Sequence, residues 1–185
     1  MKYLILSDIH GSETAVRKAL QYYGKFQTDR ILILGDVLYH GPRNPIPEGY
    51  NPQGVVALLN LLKDKILAVR GNCEAEVDQM LLEFPCMGDY LMLQDNEYSL
   101  FATHGHLYSP ASLPALQPGS AFLYGHTHLW QLERKDDILL FNPGSITLPK
   151  ENRPATLGIY EDGEFRILKL EDGEELAVLK MDVSK

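Results

Sequence analysis

The sequence predicts an α/β fold built of two stacked β-sheets flanked by helices, and three observations point to it. In the first 85 or so residues, short and nearly continuous apolar runs alternate with segments of helical periodicity. From Tyr90 onward the pattern changes to a series of short strand-like runs. A chain of 185 residues that is 45% hydrophobic can bury one substantial core without needing a second, so residues 1–185 are expected to form a single domain.

The elements follow in order. "KYLILSD" is a buried-strand run, and Ser12 to Tyr23 places Ala15, Ala19, Leu20 and Tyr23 at helical spacing behind a Ser12 cap. "DRILILGD" and "KILAVRGN" repeat the strand signature. Helices are predicted from about Val55 to Leu62 and through "EAEVDQMLLEF", where Pro85 stops the second. The later runs "YLMLQ", "EYSLFATHG", "AFLYGHTH", "WQLER", "DILLFNPGS", "ATLGIYED", "EFRILKL" and "EELAVLKM" read as strands of a meander, and the Asp-Gly steps in "EDGEF" and "EDGEE" mark hairpins. The stretch Tyr39 to Gln53 is too long for a plain connection and is expected to line a substrate pocket.

Charge and cysteine content narrow the function. The net charge of −8 and the acidic pI argue against bulk nucleic-acid binding or an anionic membrane surface, so an anionic substrate must be held locally. Cys73 and Cys86 form neither a zinc motif nor a disulfide framework, and no run has membrane-spanning length or the shape of a secretory signal. A cytoplasmic protein is the expectation, possible as a dimer or tetramer only on the general frequency of homo-oligomers.

The residues that close the apolar runs carry the chemistry: Asp8 and His10, Asp36, Asn72, His104 and His106, His126 and His128. Buried strands have no reason to end repeatedly in Asp, Asn and His, whereas the carboxyl ends of strands are where α/β proteins collect functional groups. In "DIH" and "HTH" a period of two would send both flanking side chains to the same side of a strand, where each pair can grip one ion. An isolated H-x-H pair is more often two polar strand residues, and an isolated Asp or Asn more often a cap or turn residue. Imidazole, carboxylate and amide donors without a thiolate cluster suit Mn, Fe, Co, Ni or Zn. Seven candidates, Asp8, His10, Asp36, Asn72, His104, His126 and His128, exceed the needs of one ion and fill two sites if Asp36 bridges. Two divalent cations against two carboxylates leave about +2, which attracts a phosphoryl group, and the pair would activate a bridging hydroxide for in-line attack at phosphorus.

"SDIHG", "LGDV", "RGNCE", "THGH", "YGHTH" and "NPGS" stand in an order and spacing that resemble the calcineurin-like metallophosphoesterases, in particular their small bacterial phosphodiesterases of the YfcE type, across nearly the whole chain. The resemblance implies a four-layer αββα sandwich of two mixed β-sheets flanked by helices. It implies that Asp8, His10 and His128 hold a first metal, that Asp36 bridges, and that Asn72, His104 and His126 hold a second. It also implies two divalent ions with Mn foremost, and small phosphodiesters as substrates.

Many relatives carry His after the motif Asn, where this chain has Cys73. A thiol is the weaker proton donor there, and His106 is the candidate to supply the missing imidazole. Asp36 and Asn72 are assigned to catalysis as well as to metal, and Arg43 and Arg70 to substrate phosphate, although surface arginines commonly bind nothing. Cys86 reads as core, Trp130 as core or interface, and Asn142 as a brace behind the ligands. Two alternatives share the centre: a phosphomonoesterase and a non-catalytic metal-binding scaffold. A metallo-β-lactamase-like H-x-H-x-D site is excluded because Trp130 and Tyr108 occupy the Asp positions.

Overall fold

The computed structural model describes residues 1–182 and contains two mixed β-sheets stacked face to face. The first sheet has the order β11-β10-β9-β1-β2-β3, formed by β1 (Lys2–Leu6), β2 (Arg30–Ile33), β3 (Ile66–Ala68), β9 (Thr156–Glu161), β10 (Glu164–Lys169) and β11 (Glu175–Lys180). The second has the order β4-β5-β6-β8-β7, formed by β4 (Tyr90–Asp95), β5 (Tyr98–Thr103), β6 (Ala121–Leu123), β7 (Gln131–Lys135) and β8 (Ile138–Asn142).

The two-residue period of a strand divides each one between two cores. Leu4, Leu6, Ile31 and Ile33 face the helices, where Val16, Ala19, Val55 and Leu59 meet them. Tyr3, Ile5, Leu32 and Leu34 face the second sheet and pack on Leu100, Ala102, Leu123 and Phe141. Burial on both sides is the reason that these strands read as unbroken apolar runs.

Helix α1 (Glu13–Lys25) starts at the expected cap, with the Ser12 hydroxyl accepting from the Ala15 N–H at 3.2 Å. Helix α2 (Pro52–Asn60) begins three residues before the expected start, because Asn51 caps it by accepting from the Gly54 N–H and Pro52 is preset for the first helical position. Helix α3 (Glu76–Leu81) is shorter than the predicted run. Asp78 ties its own first turn by accepting from the Ala75 N–H at 2.6 Å, while Glu74 is drawn away to other backbone groups.

The expected sheets and flanking helices are present, with α1 and α2 on the first sheet. The outer face of the second sheet, with Phe101, Phe122, Tyr124 and Leu140, is covered instead by Tyr108, Leu113 and Leu116 of the irregular segment between β5 and β6. The meander reading holds only for β9, β10 and β11. In the second sheet β5, β6 and β8 are parallel neighbours, because that long segment and the outward β7 hairpin return the chain to the same end of the sheet. The parallel strands β1, β2 and β3 and the parallel strands β5 and β6 release their following loops toward one place.

Candidate metal centre

Asp8 and His10 follow β1, Asp36 follows β2, Asn72 to Glu74 follow β3, His104 and His106 follow β5, and His126 and His128 follow β6. These loops converge. The Asp8 and Gly11 segment is laced to the loop after β2 by backbone bonds from Asp8 to Gly35, His10 to Asp36 and Gly11 to Val37. The loops after β2 and β3 touch so closely that a Cβ on Gly71 would run into the Asp36 carboxylate, and a Cβ on Gly35 would meet the Gly71 backbone.

The flanking side chains do not leave extended strands together, as the two-residue period suggested. Asp8, His10, Asp36, His126 and His128 all stand beyond their strands with φ of 52°, 48°, 54°, 65° and 61°, in the left-handed region that non-glycine residues seldom occupy. Such backbone concentrates at functional sites, where neighbouring structure holds it in place.

The donor atoms form overlapping groups. One ligand atom from each of Asp8, His10 and His128 lies within 4.8 Å of the others, and the same holds for Asp8, Asp36 and His104, and for His10, Asp36 and Cys73. His10 Nε2 is 3.8 Å from Asp8 Oδ1 and 3.7 Å from Asp36 Oδ2, and His104 Nε2 is 3.5 Å from Asp36 Oδ1. Asn72 Oδ1 lies 3.2 Å from His104 Nε2, while its amide nitrogen donates to the Cys73 sulfur. The two histidines of "HTH" separate: His128 joins Asp8 and His10, and His126 turns its ring toward His104, with centroids 5.2 Å apart.

Hydrogen bonding fixes which atoms present lone pairs. His10, His104 and His128 donate from Nδ1 to the carbonyls of Tyr39, Leu34 and Leu148 at 2.8, 2.6 and 2.6 Å. In the neutral ring each Nε2 is then an acceptor aimed at other acceptors. Asp8 Oδ2 accepts from Ser7 Oγ and the His126 N–H, but Asp8 Oδ1 is buried with no partner. A buried acceptor facing the lone pairs of imidazoles is costly unless a cation or a proton sits among them. The donor set therefore fits divalent metal, as residues of these types should.

The charges agree with that reading. Burial opposes ionisation of Asp36, yet His104 beside it holds the carboxyl well below the ordinary range. Burial likewise opposes the charged form of His104, but Asp36 and Asp8 outweigh it and raise the imidazole to about 9. Burial pushes His126 and His128 down, leaving them neutral and able to ligate.

A pocket of about 450 Å³ opens over this group and is lined by Asp36, Asn72, Cys73, His126 and His128, together with Arg43 and its neighbours from the 39–53 loop and Lys150 from the loop before β9. Arg43 lines the pocket. Arg70 does not line it: its guanidinium is paired with Asp89 at 2.7 Å, an acidic partner that strand-end reasoning did not foresee. His106 stands beside the centre, with its ring 5.4 Å from that of His104 and its Nδ1 without a partner. The Cys73 thiol is pushed far up by burial and then by Asp36, so it stays protonated and is a poor acid.

Three residues escaped the sequence reading. Glu74, partly buried, accepts the N–H groups of Asp36, Val37 and Gly71 and so ties the loops after β2 and β3 together. Its signal was its place at the end of "RGNCE", beside a candidate ligand. Lys150 had no signal beyond its charge. Ser145, within "NPGS", donates to the Asp8 carbonyl, while Asn142 braces the other side by donating to Gly125 O and Thr127 Oγ1.

Parallel strand ends that gather carboxylates and imidazoles beneath an open pocket define an α/β protein of the metal-dependent hydrolase kind. The chain belongs to the calcineurin-like phosphoesterase superfamily, whose domain model matches residues 1–162. It is 44% identical to the phosphodiesterase YfcE of Escherichia coli (strain K12) over 177 residues, 96% of both chains. The solved structure of that phosphoesterase superposes with a TM-score of 0.96 at 43% identity, covering 98% of this chain and 100% of the other. The phosphodiesterase MJ0936 of Methanocaldococcus jannaschii is 27% identical over 181 residues, 92% of this chain and 100% of its own. Among the described residues no helix is long and apolar enough to cross a membrane.

Proposed function

We propose that this protein is a metal-dependent phosphoric diester hydrolase that cleaves small-molecule phosphodiesters by in-line attack of water on phosphorus. Its centre would hold two divalent ions, with Mn foremost and Zn, Fe, Ni or Co able to substitute. Asp8, His10 and His128 would hold one, Asn72, His104 and His126 the other, and Asp36, whose two oxygens face His10 and His104 separately, would serve both. The observation that carries this reading is the convergence of His10 Nε2, His128 Nε2 and the buried, unpartnered Asp8 Oδ1.

Bound divalent cations supply a lowered pKa for water and withdraw charge from the phosphoryl oxygens. The chain's own residues do the rest. The carbonyls of Tyr39, Leu34 and Leu148 keep three imidazoles in the ligating tautomer, and the left-handed turns hold the side chains in place before any ion arrives. Arg43 orients the ester from the pocket rim. His106, beside His104 but outside the pocket lining, is assigned the proton transfer to the leaving group, a task for which Cys73 is too weak an acid.

The test is to load the protein with Mn²⁺, measure bound metal, and compare bis(4-nitrophenyl) phosphate with 4-nitrophenyl phosphate. About two ions per chain and faster turnover of the diester are expected. Preference for the monoester would make the protein a monoesterase, and bound metal without turnover of either ester would leave a scaffold.

A further inference from the structure

The pocket over the metal centre has a second feature that metal chemistry does not use. Its exposed charges are all positive. Asp36 is the one carboxylate in the lining and is buried beneath the floor, whereas Arg43 and Lys150 stand exposed at the mouth on two different loops. In a protein with eight more acidic than basic residues, many arginines and lysines find carboxylates: Lys2 pairs with Glu161, Arg17 with Glu13, Arg70 with Asp89, Arg134 with Asp182, and Arg166 with Glu164. Arg43 and Lys150 make no ion pair or side-chain hydrogen bond among the described residues.

Lys150 is also fixed relative to the centre. Its backbone N–H donates to the His128 carbonyl at 3.4 Å, and the Leu148 carbonyl two residues earlier receives the His128 Nδ1–H. The same segment is pinned from the other side, where Thr147 Oγ1 donates to the Ile9 carbonyl and Ser145 Oγ to the Asp8 carbonyl. The cation is thus mounted on the backbone that carries His128, and its field reaches both His126 and His128, adding to the burial that depresses them.

The remaining lining limits what occupies the mouth. It contains Gly41, Pro42, Asn44 and Asn72, and no aromatic ring apart from the two imidazoles, so there is no face on which a nucleobase can stack. The pocket, at about 450 Å³, is also larger than one phosphoryl group requires.

We infer that Lys150, with Arg43 across the pocket, forms a subsite for a second anionic group, so that the substrates are small phosphodiesters whose retained alcohol bears a carboxylate or phosphate. The inference rests on the diesterase reading above and adds the substrate class. Lys150 acts as a specificity residue: an ammonium carried on a pinned backbone favours an ester with an extra negative charge and does nothing particular for a neutral one.

The experiment uses the Mn²⁺-loaded protein and three 4-nitrophenyl phosphodiesters with the same leaving group: that of 1,3-propanediol, and its counterparts in which the free hydroxyl end is a carboxylate or a phosphate. The ratio of kcat/KM, anionic over neutral, should be about five or more at low salt and shrink as salt screens the pair. It should fall to about one in Lys150→Ala, drop below one in Lys150→Glu, and recover in Lys150→Arg. The larger of the two anionic ratios identifies carboxylate or phosphate as the natural group. Hydrolysis of all three esters with a ratio that Lys150 variants leave unmoved would overturn the subsite alone. Bound metal with hydrolysis of none would overturn the diesterase reading and the subsite with it.

Discussion

His10 and His128 bring their Nε2 atoms to 3.2 Å of one another while each donates its Nδ1 hydrogen to a backbone carbonyl, His10 to Tyr39 and His128 to Leu148. Two acceptors at that distance, with Asp8 Oδ1 beside them, repel one another and would be stabilised by a cation. Replacing His128 by Ala removes one of the three donors, and the variant should retain about one metal ion fewer per chain with at least a hundred-fold loss of diesterase activity. Elemental analysis after exhaustive dialysis checks the first outcome, and an undiminished metal content would contradict the assignment.

His104 sets the pH dependence. Asp36 and Asp8 raise it to about 9 in the metal-free fold, against an ordinary histidine near 6.5. Between those two values the folded metal-free chain holds a proton that the unfolded chain releases. The stability from that proton is present at lower pH and is lost as pH rises through about 9. Metal must displace the same proton, so affinity should increase with pH across this window. Calorimetry at pH 7.5 in buffers of different ionisation enthalpy should record about one proton released per chain at this position.

Glu74 is a positioning residue. Its carboxylate accepts from Val37 through one oxygen and from Asp36 and Gly71 through the other. Glu74→Gln keeps the shape but turns an NH₂ group toward at least one N–H donor, loosening Asp36 against Asn72. Metal affinity should fall about 10- to 100-fold, the range typical of lost outer-sphere support, while Glu74→Ala should fall further. Titration with Mn²⁺, followed by activity and by calorimetry, distinguishes this from a loss of fold, since circular dichroism of the Gln variant should stay native.

Gly71→Ala tests the contact between loops. The added methyl would collide with the Asp36 carboxylate and the Asp36 backbone nitrogen, neither of which can withdraw. A cost of about 1–3 kcal/mol is expected, together with weakened metal binding. The melting temperature of the metal-free chain should therefore drop by several degrees.

Leaving-group dependence separates Cys73 from His106. With the thiol locked in its neutral form, esters of poor leaving groups should react slowly, and Cys73→His should flatten the plot of log kcat against leaving-group pKa. His106→Ala should steepen the same plot. An unchanged slope in His106→Ala would remove it from proton transfer.

The sequence by itself determined the periodic elements and the chemical character of the site. Strands buried on both faces must be written in unbroken apolar residues, so "KYLILSD" and "DRILILGD" announce themselves, and polar residues that end such runs stand out because nothing in strand packing calls for them. Tertiary structure alone decided which of these residues meet. His126 and His128 are neighbours in sequence but face different groups, because their backbone turns through left-handed φ at both positions instead of continuing β6. Glu74 acquires its role only when the loops after β2 and β3 come into contact, and Lys150 only when its loop is pinned to His128. Spacing along a chain encodes local geometry, whereas convergence at one point depends on strand order and on close backbone approach, which arise between segments far apart in sequence.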